Sequence, residues 1–169
     1  EKTALAEAEI EYEDIVSTQI DVAFEIVESP IKELVGAHAV IWTTTPWTIP
    51  VNQALAYGPE VPYTVIHSGE DRYLVAAPLA DSFVARTGIK VTGTTHPVTP
   101  EMGGAAGMFG GETHVWRTSV GSDLAGTIAR HPMHALGGFF ARPRPFLAGD
   151  FVTTDSGTGL VHMSPDHGE

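Results

Sequence analysis

Apolar residues fall at every second position in several short runs of this chain, and Gly or Pro soon cuts each run off. Ile20, Val22, Phe24 and Ile26 set the pattern. At the start, Ala6, Ala8, Ile10 and Tyr12 alternate with Glu7, Glu9, Glu11 and Glu13. Ala and Glu favour helix by propensity, but a period of two is a strand's period, so 6–13 reads as a strand with an acidic outer face. Further strands are expected from His38 into a threonine run, and over 52–57, 63–67, 73–76, 89–94, 113–119, 150–153 and 160–163. Gly69 to Arg72 reads as a hairpin turn, and Asp155 to Gly159 as a second turn. One helix is expected over Leu79–Arg86, with Gly88 as its stop. The stretch 96–111 is glycine-rich without period and is expected to be a mobile surface loop. Many short strands with few helices predict a mainly β fold. A closed β-barrel is the expected form, because closure leaves no exposed strand edge. No internal repeat or linker divides residues 1–169, so a single domain is expected.

Composition bounds the function. Hydrophobic residues are 43% and charged residues 18% of 169, which suits a folded chain with a real core. No apolar run is long enough to span a bilayer, so no membrane partner is expected. Cys is absent, which removes disulfides, thiolate metal sites and a cysteine nucleophile. The net charge of −12 should repel a polyanion over most of the surface. Any nucleic acid must then be held locally, or mainly by another part of a larger protein. Arg142-Pro-Arg144-Pro beside Phe139, Phe140 and Phe146 is the one basic and aromatic patch. It reads either as a structural loop or as a phosphate contact. The chain lacks an initiator Met and is expected to be a piece of a longer protein.

Residues 42–52, Trp-Thr-Thr-Thr-Pro-Trp-Thr-Ile-Pro-Val-Asn, place four hydroxyls, one carboxamide and two indoles together without a charge. Strand formers here run into Pro46, which cannot donate to a ladder. The segment is either a half-buried strand followed by a stiff turn, or a rim that presents hydroxyls to a ligand. Among the eight histidines, His131/His134 and His162/His167 lack zinc spacing, and packing or surface roles are expected; no metal is assigned. No Walker or dinucleotide glycine loop and no Gly-x-Ser-x-Gly elbow occurs, so no cofactor is expected. Thr43, Thr44, Thr45, Thr48, Asn52 and the glycine turn leading to His162 remain. Such groups suit positioning a polar substrate and a water through neutral hydrogen bonds, as in hydrolysis of an activated ester.

Two segments, WTTTPWTIPVN at 42–52 and GTGLVHMSPDHGE at 157–169, together resemble the paired signatures of the isoleucyl-tRNA synthetase editing domain. Related valyl and leucyl enzymes have Arg, Pro and an acidic residue where this chain has Thr45-Pro46-Trp47, so the isoleucyl branch is the better match. The resemblance implies a β-barrel with peripheral helices, inserted into a Rossmann-type catalytic domain that holds the ATP chemistry. It implies hydrolysis of valine misattached to tRNA(Ile), in the cytoplasm, by a monomeric enzyme whose partners are the tRNA 3′ end and the rest of the synthetase. Thr43, Thr44 and Thr45 match the catalytic, water-positioning segment; Trp42, Trp47, Thr48, Asn52 and His162 match substrate-binding positions. His162 matches the histidine implicated in rejecting isoleucine. The chemistry implied relies on a positioned water and the tRNA's terminal ribose hydroxyl.

The family pattern continues to an aspartate nine positions after the pocket histidine, which here would lie beyond Glu169. Asp166 sits where the family more often has Gly, and neither it nor Glu169 is taken as a substitute. Losing that partner of the substrate's ammonium group would cost on the order of 1.5–3 kcal/mol, so slow editing is expected of this chain. A different class is also open: a non-catalytic module that captures an amino acid or an aminoacyl adenylate. A structural β-barrel without a site is the third.

Overall fold

The computed structural model describes residues 18–97, 112–116 and 120–165. The acidic strand expected at 6–13, the stretch 98–111, the end of the strand expected to reach 119, and Asp166 and Glu169 lie outside the described residues. The chain forms β1 (Ile20–Glu28), β2 (His38–Thr43), β3 (Ala54–Tyr57), β4 (Tyr63–Ser68) and β5 (Asp71–Ala76). Then come α1 (Ala80–Thr87), β6 (Gly93–Pro97), β7 (Glu112–Trp116), β8 (Ile128–Arg130), β9 (Pro143–Ala148) and β10 (Leu160–Met163). Short 3-10 turns lie between several of them, the longest at Pro46–Val51.

Period-two alternation sorts side chains onto two faces. Ile41, Val65 and Leu74 enter the main core with Phe24, Ile26, Leu55, Phe146 and Leu160. Their sequence neighbours Val40, Ile66 and Val75 point the other way, where Ala80 and Phe83 of α1 cover them. Burying each of the larger side chains is worth about 1.5–3 kcal/mol, so this division holds both layers to one sheet. The helix ends as expected: Gly88 adopts φ 67° and its N–H bonds the Val84 carbonyl at 2.9 Å. Arg86 in its last turn donates to both carboxylate oxygens of Asp21, at 2.9 and 2.7 Å, which ties α1 to β1.

The expected closed barrel is not found. Among the described residues ten strands follow the order β10-β3-β9-β8-β1-β2-β5-β4-β6-β7, and no ladder joins the two ends. The sheet is mixed, with parallel pairs β2–β5, β3–β9 and β6–β7. The reason for the opening lies at β2, whose pairing with β5 stops after Ala39↔Leu74. From Val40 to Thr43 that edge of β2 has no strand partner among the described residues, and β10 comes up beside it. Among the described residues β10 pairs with β3 alone. One backbone bond, Ala76 N–H to the Thr158 carbonyl at 2.7 Å, crosses near this seam.

Other expectations also needed correction. Residues 150–153 are no strand: Val152 N–H closes a turn on the Gly149 carbonyl at 3.2 Å. The strand here is β9, inside the Arg-Pro-Arg-Pro patch. Its prolines fit because Pro143, Arg144 and Pro145 pair with β8, whereas pairing with β3 begins only at Phe146. Each half of β9 thus has a side that needs no N–H donor. β8 was also unforeseen, having only three residues. The strand expected at 89–94 starts at Gly93, since Ile89 and Val91 pack on the α1 cluster instead.

Candidate functional site in the seam between two strands

The threonine run ends β2 and turns directly into the seam. Thr43 is the last residue of β2, and its hydroxyl accepts the Thr45 N–H at 3.0 Å. Its oxygen lies 3.1 Å from the Thr45 hydroxyl. Pro46 follows as the first residue of the 3-10 turn, where a missing N–H costs nothing. Within the turn the Thr48 hydroxyl donates to the Thr45 carbonyl at 2.8 Å, and the two hydroxyls are 3.4 Å apart. Thr43 and Thr48 are buried, whereas Thr44 and Thr45 are half-buried.

Asn52 ends the turn and is fully buried. Its amide nitrogen donates to the Ala54 carbonyl at 2.9 Å, which fixes the orientation of the carboxamide, since that carbonyl can only accept. The same nitrogen lies 3.4 Å from His162 Nδ1. Nδ1 is therefore the acceptor, and Nε2–H donates to Thr48 Oγ1 at 3.0 Å. A continuous path runs from Asn52 through the imidazole to Thr48 and the Thr45 carbonyl. His162 belongs to β10, where it stands opposite Leu55 of β3. Asn52 Oδ1 and Trp42 Nε1 are buried with no protein partner, so each keeps hydrogen-bonding capacity.

The glycine turn before β10 is held tightly. Gly159 has φ 74°, and a Cβ there would come within 2.3 Å of the Ala76 Cβ. Gly157 has φ 80° and lies against the Trp42 ring, 3.3 Å from where its Cβ would be. Tyr63 supports the same turn: its hydroxyl donates to the Gly159 carbonyl at 2.6 Å and accepts the Gly58 N–H at 2.9 Å. Burial pushes the Tyr63 hydroxyl up to about 12. Nothing in the sequence signals this contact, which spans 96 positions.

No family model matches the chain. Over 169 residues it is 50% identical to the isoleucine–tRNA ligase of Zymomonas mobilis, covering 100% of this chain and 16% of that protein. The Gluconobacter oxydans isoleucine–tRNA ligase is 46% identical over 181 residues, and that of Bacillus subtilis 38% over 168. The chain belongs to the isoleucine–tRNA ligase family. It spans about a sixth of the length of these relatives. Among solved structures it is similar to GlLeuRS-CP1, with a TM-score of 0.56 and 13% identity over 86% of this chain and 52% of that one. At that identity the likeness concerns the fold.

In this isoleucine–tRNA ligase segment the residues singled out by sequence are placed unequally. Thr43, Thr45, Thr48, Asn52 and His162 form one bonded group. Thr44 sits between two of its members in the chain. Trp42 packs on the glycine turn, and Trp47 is 72% exposed at the outer side of the 3-10 turn. Burial holds His162 below the usual histidine range, which keeps the ring neutral near neutral pH. Among the described residues no three His, Asp or Glu side chains gather as metal ligands. The group therefore offers neutral donors and acceptors to a polar ligand.

The basic patch resolves toward structure. Arg144 is only 1% exposed, its guanidinium bonded to the carbonyls of Arg142 and Phe139 and set 4.8 Å over the Phe139 ring. Arg130 pairs with Glu25, and Arg142 remains exposed. His131 is fully buried, and His134 Nδ1 bonds the His131 carbonyl at 3.0 Å.

Proposed function

We propose that this chain is the editing domain of an isoleucine–tRNA ligase and hydrolyses the ester of valine misattached to tRNA(Ile). Valine is isoleucine less one methylene, and a hydrophobic pocket distinguishes them by only about 1–3 kcal/mol; isoleucyl enzymes are themselves the standard example of that limit. A second, hydrolytic site removes the error. The observation that carries the proposal is the joining of His162 to the threonine turn through Thr48 and Asn52.

In the proposed reaction, water adds to the ester carbonyl, the bond to the ribose oxygen breaks, and that oxygen takes up the proton. Valine and free tRNA leave. Thr43 to Thr45 hold the ester and the water by hydroxyl and backbone groups. His162, neutral and already committed to Thr48 through its Nε2–H, lines the amino-acid side and limits its size. It acts as no general base. The partners are the tRNA 3′ end and the remainder of the ligase, in the cytoplasm, with ATP chemistry elsewhere in the longer protein.

Release of valine from valyl-tRNA(Ile) by the ligase carrying this segment tests the proposal. Thr44→Ala with Thr45→Ala should slow it by about 10²-fold, the scale of losing positioned donors. His162→Ala should let correctly charged isoleucyl-tRNA be hydrolysed. A protein that binds valyl-tRNA without turnover would instead be a capture module for the amino acid or its adenylate.

A further inference from the structure

The turn Pro46–Val51 is held from two sides, and only one of them belongs to the site described above. On the far side stands His131, which follows β8. Its Nδ1 accepts the Met133 N–H at 3.0 Å, so the ring proton resides on Nε2. That Nε2–H donates to the Ile49 carbonyl at 2.8 Å, across 82 positions. The same Ile49 oxygen accepts the Asn52 N–H at 3.0 Å. Asn52 in turn faces His162 Nδ1 with its side-chain amide. His131 itself is immobilised: it is fully buried, edge-on to Phe24 at 5.7 Å and tilted on Phe140 at 5.2 Å.

We infer that His131 is a positioning residue for amino-acid discrimination, setting the placement of Thr48 and Asn52 against His162 through the Ile49 carbonyl. Residues 46–52 contain two prolines, Pro46 and Pro50, which donate no backbone N–H, so the turn has few bonds of its own to fix its height. The turn's own Asn52 N–H and the external His131 Nε2–H converge on one carbonyl, and the second supplies what the turn lacks. A shift of the carbonyl would carry Asn52 with it and lengthen the contact, already 3.4 Å, that defines the His162 tautomer.

Two substitutions separate the long reach from local packing. His131→Gln can still extend an N–H toward Ile49, while His131→Asn can satisfy Met133 but falls short of Ile49. The role of His131 rests on the editing function proposed above. The ratio of valyl- to isoleucyl-tRNA hydrolysis should fall about tenfold in His131→Asn, the scale of one hydrogen bond, and be largely retained in His131→Gln. Imidazole ¹⁵N spectra of the chain read the His162 tautomer directly and without turnover. His131→Asn should move the His162 ring signals and His131→Gln should not. Equal loss of stability in both variants, with unmoved His162 signals and an unchanged ratio, would overturn the inference. If the wild-type protein hydrolyses neither ester, the editing function fails, while the spectra still decide whether His131 governs His162.

Discussion

His162 and Thr48, 114 positions apart, meet at 3.0 Å between Nε2 and Oγ1, and this contact bridges the edge where β2 and β10 lie side by side without pairing. A hydroxyl that accepts from one strand and donates to its own turn links two separately built walls. Such a bond has a modest net worth, yet an unmet buried donor costs more.

Thr48→Val keeps the shape of the side chain and deletes the hydroxyl. His162 Nε2–H then loses its acceptor, with an expected destabilisation of about 1–3 kcal/mol. Urea unfolding monitored by circular dichroism measures it. An unchanged midpoint would mean that the half-buried imidazole finds solvent instead.

Tyr63→Phe should be at least as damaging, because the buried Gly58 N–H and Gly159 carbonyl both lose their partner. A loss of about 1–3 kcal/mol or more is expected. Alkaline titration gives an independent sign. The folded hydroxyl is raised to about 12 from an unfolded value of 10.0. Its stabilisation is thus complete below pH 10.0 and lost as pH rises toward about 12. In Tyr63→Phe the fall in stability over that window should be shallower than in wild type.

Acid acts in the opposite direction. Burial lowers both His131 and His162, so the unfolded chain binds protons more readily than the folded one. Stability from both rings is complete above the unfolded histidine value of about 6.5 and declines as pH falls through the lower folded values. Denaturation midpoints at stepped pH should drop below about 6.5. Replacing His162 by Gln should flatten that slope; an unaltered slope would place the acid sensitivity in other groups.

The sequence announced the strands wherever alternation was clean. β1, β2, β4, β5, α1 and β10 lie within a few residues of expectation, because their side chains divide between two apolar layers. β9 was hidden, since Pro143 and Pro145 are strand breakers unless one edge is unpaired, and that edge is a tertiary fact. The barrel expectation failed for the same cause. The turn at 155–159 was legible, but β2 leaves β5 after Ala39↔Leu74, and the Ala76 N–H bonds the Thr158 carbonyl instead; both are tertiary pairings that no local pattern encodes. Of the site, Thr43, Thr45, Thr48, Asn52 and His162 were legible as residue types and motif positions. Tyr63 and His131 were not, because their partners are the backbone atoms of Gly159 and Ile49, and any residue supplies a carbonyl there.

The opening along β2 separates two design problems. A ladder between β2 and β10 would have spent the backbone groups of both strands on each other and locked their spacing at the distance of a β pair, about 4.8 Å. Here the seam carries side-chain contacts, with one backbone bond beside it, in place of a ladder. Thr48 and His162 meet across the seam through side chains alone, so neither holds a ladder bond to the other's segment. If the seam discriminates amino acids as proposed, its discriminating dimension is written in residues that evolution can replace one at a time, over a scaffold that need not move.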